Sequence, residues 1–443
     1  MTNAPLFLIS VPGLRPSDID RMPKLKAITH AGEMVPLSAS FPAVTWPVQA
    51  NMLTGCLPDQ HGVVANGFYW RDKQQVEMWT AWNDKIEQPQ IWDRLHQGSV
   101  PKRSAVWFPM LSKGCGADNI CMPAPIHNPD GSESLWCYTK PTEYYGELRD
   151  RFGHFPLKHF WGPLAGRPSS QWIIDSAAYA AKQLRPDFFY IYVPHLDYAA
   201  QKVGPDSEQA LAAVAELDEM IDKFYRDLTE PLDMTPRILV VSEYVITAVS
   251  HVLYPNRLLR QAGLLKVKQE KGGEGEEIDF ENSQAWALVD HQFSHVFVKN
   301  GDANTISKVE QVFSKQPGVA DVLSGDRRAT LNMNHARSGE CIVISSAESW
   351  QAYYWWLDDA RAPSYARTVD IHRKPGYDPV ELHFNMANKC IPLDASLIRG
   401  SHGAPVLDST QMGIAISNTS GIIGTSPLRD IDIFQKTMAA VQK

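Results

Sequence analysis

Short apolar runs set between helix-patterned stretches constrain this chain more than any other feature. Leu6-Phe7-Leu8-Ile9, DFFYIYVP (187–194) and RILVV (237–241) are brief and almost wholly apolar. A strand that is apolar on both faces has to be covered on both, which is the situation of a parallel sheet packed between helices. The intervening patterns supply the cover. RMPKLKAITHAG (21–32) reads as a helix closed by Gly32. SEQALAAVAELDEMIDKFYRDL (207–228) reads as a long amphipathic helix, with Leu211, Val214, Leu217, Ile221, Phe224 and Leu228 at three- and four-residue spacing. The expected fold is therefore α/β, three layers around a mostly parallel central sheet.

The pattern changes after the Gly/Glu-rich turn EKGGEGEEID (270–279). HVFVK (295–299), ISKVEQVFSKQ (306–316) and CIVIS (341–345) read as strand, helix and strand. That order predicts a small α+β cap lobe over 266–370, inserted into a core made of 1–265 and 371–443. A chain of 443 residues is long enough for one large domain carrying such an insertion.

Charge and cysteines narrow the partners. A net charge of −8 argues against nucleic acid or an anionic membrane as the main partner. No stretch approaches the roughly 20 apolar residues that span a bilayer. The start, MTNAPLFLISVPG, has no basic segment before its short apolar run, which predicts no export signal and a cytoplasmic location. The six cysteines form no Cys-x-x-Cys pair, so reduced, buried thiols are expected. Cys115, Cys121 and Cys137 are close in sequence but lack the paired spacing usual for zinc.

The segment FPAVTWPVQANMLTGCLPDQHGVVAN (41–66) carries the most chemical information. Thr45 stands where a loop meets a helix, with Pro47 suited to a first turn and Gly55 to a helix end. Such a threonine either caps the helix or serves as a hydroxyl nucleophile, its attack on phosphorus helped by a helix N-terminus that favours anions. Further pieces follow strands. YIYVPHLDYAAQKVGP (190–205) brings His195, Asp197 and Gln201; ILVVSEY (238–244) brings Glu243 and Tyr244; GSHGAP (400–405) presents His402; and SVPGLRPSDID (10–20) turns after the first strand. Ligands of open α/β sheets collect at the carboxyl ends of strands, where three of these pieces lie.

Together these segments resemble the alkaline phosphatase superfamily, in particular its type I phosphodiesterase/nucleotide pyrophosphatase branch. FPAVTWP with LTGCLPDQHGVVAN is similar to the nucleophile segment, with Thr45 at the nucleophile. VPHLDYAAQKVGP looks like the metal segment Asp-x-x-x-His-x-x-Gly-Pro, VVSEY lies where the family has Ser-Asp-His, and GSHGAP where it has its last metal-binding His. The resemblance implies an alkaline-phosphatase-like core and a hydrolase of phosphate esters with two divalent metals. Zinc is the usual ion, and manganese or iron is also compatible.

Several positions depart from the family pattern. Pro12 replaces the metal-binding Asp after the first strand, and Gln201 replaces a metal-binding His. Glu243-Tyr244 replaces Asp-His, and Val48 replaces the Asn of the nucleophile segment. The resemblance leaves Thr45, Asp197, Glu243 and His402, which is thin for two ions. Compensating donors are available in VDHQFSH (Asp290, His291, His295) and in DIHRKPGYDPVELHF (Asp370, His372). Arg373 and Lys374 offer a cationic hold on phosphate in place of a metal. Each His is equally readable as a hydrogen-bonded structural residue.

The thirteen tryptophans, including those of YYWW (353–356), suit either a hydrophobic substrate pocket or, more commonly, core and lobe packing. The expected function is metal-dependent hydrolysis of a small phosphorylated substrate, a phosphodiester, pyrophosphate or phosphomonoester, through Thr45. The alternative is a catalytically degenerate relative that binds a phosphorylated ligand. A relative acting on C–P bonds or sulfate esters is a third possibility.

Overall fold

The computed structural model describes residues 4–128, 133–232 and 235–442. Its centre is a nine-stranded sheet. Five neighbouring strands run parallel: Asn119–Pro123, Ser104–Trp107, Phe188–Tyr192, Leu6–Val11 and Arg237–Ser242. Antiparallel strands flank them, Cys137–Lys140 at one side and Gly413–Ser417 at the other, the latter continuing to Glu33–Ser38 and Leu428–Arg429. We call Leu6–Val11 β1, Phe188–Tyr192 β2 and Arg237–Ser242 β3.

The apolar runs form strands because both of their faces are covered. Side chains alternate along β1: Phe7, Ile9 and Val11 join one core with Trp172, Leu217 and Phe224, whereas Leu6 and Leu8 join a second with Val48, Met52 and Met438. The first core lies under helices Arg167–Leu184 and Glu208–Leu232, the second under Thr45–Thr54 and Asp432–Gln442. This is the three-layer α/β architecture expected. On the 208–232 helix the expected apolar stripe is buried from Val214 to Leu228, with Leu211 only partly covered. The first helix is shorter than its pattern, Pro23–Thr29, and is preceded by a 3-10 turn at Pro16–Arg21.

Within the proposed lobe 266–370 lies a separate four-stranded antiparallel sheet in the order Ala285–Asp290, Phe293–Val298, Cys341–Ser345 and Val319–Ser324. Its core includes Trp350, Tyr353, Tyr354, Trp355 and Trp356, all at most 1% exposed. The YYWW segment therefore packs a core. All six cysteines are free. Among the described residues no helix is long and apolar enough to cross a membrane.

Ile9 sits at the middle of β1, fully buried and in register with Ile191 and Val240. Ile9→Ala is expected to cost about 2–5 kcal/mol, because neighbouring strands cannot collapse into the space left behind. Urea unfolding followed by tryptophan fluorescence measures it; a loss under about 1 kcal/mol would show that the sheet relaxes around the site.

Candidate functional site

The carboxyl ends of β1, β2 and β3 lie side by side, with Ser10 opposite both Tyr192 and Val241. Whatever follows these strands is consequently brought together. After β1 comes Pro12, after β2 the helix His195–Val203, and after β3 the pair Glu243-Tyr244.

Thr45 is the first residue of helix Thr45–Thr54, and Val44 holds the capping position without a side-chain bond. The Thr45 side chain is buried and does not cap the helix. Its Oγ1 lies 3.0 Å from the Tyr244 hydroxyl, which in turn reaches Asp197 Oδ1 at 3.4 Å. Gly55, at φ +69°, ends the helix, as its residue type suggests. The first turn of this helix is held from the lobe through Asn66. Asp290 accepts from the Asn66 backbone N–H at 2.7 Å and from its side-chain amide at 3.1 Å, and Asn66 Oδ1 accepts the N–H of Trp46 at 3.0 Å.

The Tyr244 ring stacks on His402, with centroids 3.6 Å apart and planes 6° from parallel. His402 Nδ1 donates to the Ala43 carbonyl at 2.8 Å, which leaves the Nε2 lone pair 3.9 Å from Asp197 Oδ1. His291 packs against both His402 (3.9 Å) and Tyr377 (3.7 Å), and its Nδ1 meets Asp290 Oδ1 at 2.6 Å. It occupies the two-residue turn between lobe strands at φ +60°, a conformation uncommon outside glycine. The sequence candidates Thr45, Asp197, Tyr244, Asp290, His291 and His402 thus share one neighbourhood.

Other candidates fall away from it. His372 Nδ1 donates to the Met78 carbonyl at 3.2 Å. His295 is held by the Val64 carbonyl (3.0 Å) and the Gly339 N–H (3.2 Å). His195 does not share a face with Asp197, because the segment is helical and residues two apart point to different sides; His195 Nε2 lies 3.0 Å from Glu216. Lys374 is fully buried between Asp378 (2.8 Å) and Glu381 (2.5 Å), and Arg373 is exposed beside Asp370 and Glu270. Neither cation is free for a phosphate at this site.

The donor set does not fit the implied metals. Glu243 Oε1 already accepts from Ser10 Oγ (2.6 Å) and Gln49 Nε2 (2.8 Å). Gln201 Oε1 accepts from the Tyr377 hydroxyl at 2.7 Å. Asp290 is committed to Asn66 and His291. Asp197, His402 Nε2 and Glu243 Oε2 keep donor capacity, but they are not placed to share one ion, whereas zinc takes at least three protein donors. Among the described residues no group of three His, Cys, Asp or Glu side chains is placed to share an ion.

Burial governs the electrostatics instead. It pushes Asp197 up to about 7 and Glu243 up to about 8, and it keeps His291 and His402 neutral, well below the usual imidazole range. Above these groups opens a cleft walled by Trp79, Phe160, Trp161, Tyr198 and Tyr377, with Thr45, Asp197 and His291 at its floor. No lysine or arginine is among the described residues lining it. The sequence reading missed Gln49 and Ser10. Gln49 was detectable, since it lies four residues after Thr45 and so on the same helix face. A tryptophan-lined pocket was an expectation, and Trp79 and Trp161 do line the cleft, but the walls come from distant segments and no spacing told which tryptophans would form them.

A carboxyl whose folded value (about 8) lies above its ordinary 4.5 keeps a proton in the folded chain that the unfolded chain has lost. Stability from this source is fully present below pH 4.5 and disappears as pH rises towards 8. Glu243→Gln keeps an oxygen for Ser10 and Gln49 and cannot ionise. Its melting temperature should therefore fall less than the wild type's between pH 5 and pH 9, as differential scanning calorimetry would show. Parallel curves would mean that Glu243 is ionised in the folded chain.

Comparison with known proteins agrees with this architecture. The chain is 25% identical over 260 residues to an uncharacterized pyrophosphatase/phosphodiesterase of Schizosaccharomyces pombe, covering 57% of this chain and 46% of that protein. It is 27% identical over 261 residues to ectonucleotide pyrophosphatase/phosphodiesterase 1 of Saccharomyces cerevisiae, covering 55% and 32%. It thus spans less than half the length of these curated relatives. Phosphonoacetate hydrolase of Sinorhizobium meliloti superposes with a TM-score of 0.65 at 17% identity, covering 100% of this chain and 96% of that one. Human ectonucleotide pyrophosphatase/phosphodiesterase 5 does so with a TM-score of 0.62 at 14% identity, covering 99% and 95%. These two share the fold. The type I phosphodiesterase/nucleotide pyrophosphatase profile matches residues 6–378, and the chain belongs to that family.

Proposed function

We propose that this chain cleaves phosphoric ester bonds, with the Thr45 hydroxyl as the group that attacks phosphorus and with diesters preferred to monoesters. The observation that carries this reading is the position of Thr45. It begins a buried helix, leaves the capping role unused, lines the floor of the aromatic cleft and sets its hydroxyl against that of Tyr244. Family membership supports the reaction class.

The preference for diesters follows from charge. A diester carries one negative charge where a monoester carries up to two. Among the described residues lining the cleft there is no lysine or arginine, and Asp197 is buried at its floor. Each added charge taken from water into such a site without a partner costs several kcal/mol, on the order of the penalty for an unpaired buried ion. The walls suit a substrate with an apolar or aromatic ester group, which Trp79, Trp161 and Tyr377 can cover while excluding water.

A second reading is binding of a phosphorylated ligand without turnover. Pro12, Gln201 and Tyr244, which stand where the family has metal ligands, favour it. One comparison separates the two. Wild type is expected to hydrolyse bis(4-nitrophenyl) phosphate faster than 4-nitrophenyl phosphate, and Thr45→Ala to lose about a hundredfold or more in rate. The fold should survive, since the variant gives up one hydrogen bond worth about 1 kcal/mol. Circular dichroism and thermal melting check that point. A Thr45→Ala variant that hydrolyses at the wild-type rate would place the chemistry elsewhere; tight ligand binding with no hydrolysis would establish the second reading.

A further inference from the structure

The mismatch between this site and a pair of metals has a specific shape, because one side chain occupies the contested room. Tyr244 Oη lies 3.0 Å from Thr45 Oγ1 and 3.4 Å from Asp197 Oδ1. A zinc ion drawing on those two oxygens would have to compete with the phenol oxygen, which already contacts both. The Tyr244 ring also covers one face of His402. Retracting it would break that stack, and its main chain is tied down as well, the Tyr244 carbonyl accepting from the Gly13 N–H (2.9 Å) and from Ser242 Oγ (3.0 Å).

Proton bookkeeping gives the arrangement a direction. A carboxylate only accepts hydrogen bonds, so the single proton of Tyr244 points to Asp197. The Tyr244 oxygen is then free to accept, and Thr45 is its donor. The order is Thr45 Oγ–H to Tyr244 Oη–H to Asp197 Oδ1. The supports of each member are separate: Thr45 by its helix, Asp197 by the helix after β2, and Tyr244 by His402 and the turn after β3.

We propose that Tyr244 stands in this site where the resemblance implies a cation, relaying the proton of Thr45 to Asp197, so that ester cleavage here proceeds without a divalent metal. The inference rests on the reading of Thr45 as the attacking group. In the first step Thr45 Oγ forms a bond to phosphorus while the bond from phosphorus to the leaving oxygen breaks. The leaving oxygen departs with the electron pair and takes a proton from water, which leaves hydroxide. The Thr45 proton passes to Tyr244 as the Tyr244 proton passes to Asp197. In the second step hydroxide attacks phosphorus and the Oγ–P bond breaks. Asp197 then returns its proton through Tyr244 to Thr45. The sum is one ester bond and one water consumed, with every side chain restored. Tyr244 is a direct partner of the reacting hydroxyl, and its oxygen is the part that matters; the ring alone preserves the stacking on His402.

The test uses the full chain purified without chelator. Elemental analysis by mass spectrometry should find substoichiometric zinc, manganese and iron. Titration calorimetry with zinc chloride should show no site-specific uptake by the wild type, whereas the Gln201→His, Tyr244→His double variant, which adds two imidazoles beside Asp197 and His402, should gain it. Hydrolysis of bis(4-nitrophenyl) phosphate should be unchanged by dialysis against EDTA. Tyr244→Phe should lose about a hundredfold in kcat with KM nearly constant, in the range for removing a proton-transfer group, while keeping its melting temperature close to that of the wild type. Stoichiometric zinc on the wild type, or a rate abolished by EDTA and restored by zinc, overturns the inference. So does Tyr244→Phe turning over at the wild-type rate. If Thr45→Ala abolishes turnover in that same preparation, the nucleophile reading survives and only the relay fails. If Thr45→Ala is fully active, the underlying reading fails instead.

Discussion

Parallel pairing of three buried strands is the constraint on which the rest of this molecule depends. β1 pairs with β2 on one side and β3 on the other, and the registers align Ser10 with Tyr192 and with Val241. Hydrogen bonding along the strands thereby makes neighbours of segments that follow residues 11, 192 and 242. Because each strand is apolar on both faces, a slip of one residue would exchange the two cores and is opposed from both sides. The site inherits its precision from this pairing. Thr45 then enters from a helix packed on one face of the sheet, and His291 with Asp290 enters from the lobe.

At the ends of those strands the chain buries carboxyl groups in apolar surroundings. Asp197 and Glu243 have few oxygen or nitrogen partners, and no lysine or arginine is among the described residues that line the cleft with Asp197. The consequence is raised affinity for protons, which makes the site an acceptor of protons near neutral pH and a poor host for additional negative charge. Buried Lys374 is neutralised by Asp378 and Glu381, and Glu381 also accepts from the indole of Trp161 at 2.5 Å. That ion cluster shapes the cleft wall and contributes no charge to the floor. The chemistry proposed for Thr45 is accordingly one of hydrogen bonds in an aromatic setting, which links the proposed diester preference to the position of Tyr244.

Much of this was legible in the order of residues. The alternation of apolar runs with amphipathic stretches specified a three-layer α/β chain, since period and two-sided apolarity are properties of the sequence itself. The family followed from the segment around Thr45 and from the matching order of the pieces behind it. The substitutions Pro12, Gln201 and Tyr244 were visible too, and a proline cannot ligate in any fold. The relative aim of His195 and Asp197 was not legible: two residues apart, they share a face only in an extended segment, and the strand before them ends at Tyr192 where a helix takes over.

What the sequence alone determined, then, is the sheet, its cover and the kinds of donor available at the strand ends, because these depend on local pattern and residue type. Tertiary structure alone decided which donors are free. Asp290 spends its oxygens on Asn66 and His291, Lys374 is closed off by two carboxyls, His372 turns to Met78, and the Tyr244 hydroxyl lands between Thr45 and Asp197. No spacing rule reaches these outcomes. Each is a competition among partners brought together from segments tens to hundreds of residues apart, settled by distance and by the cost of leaving a buried polar group unpaired.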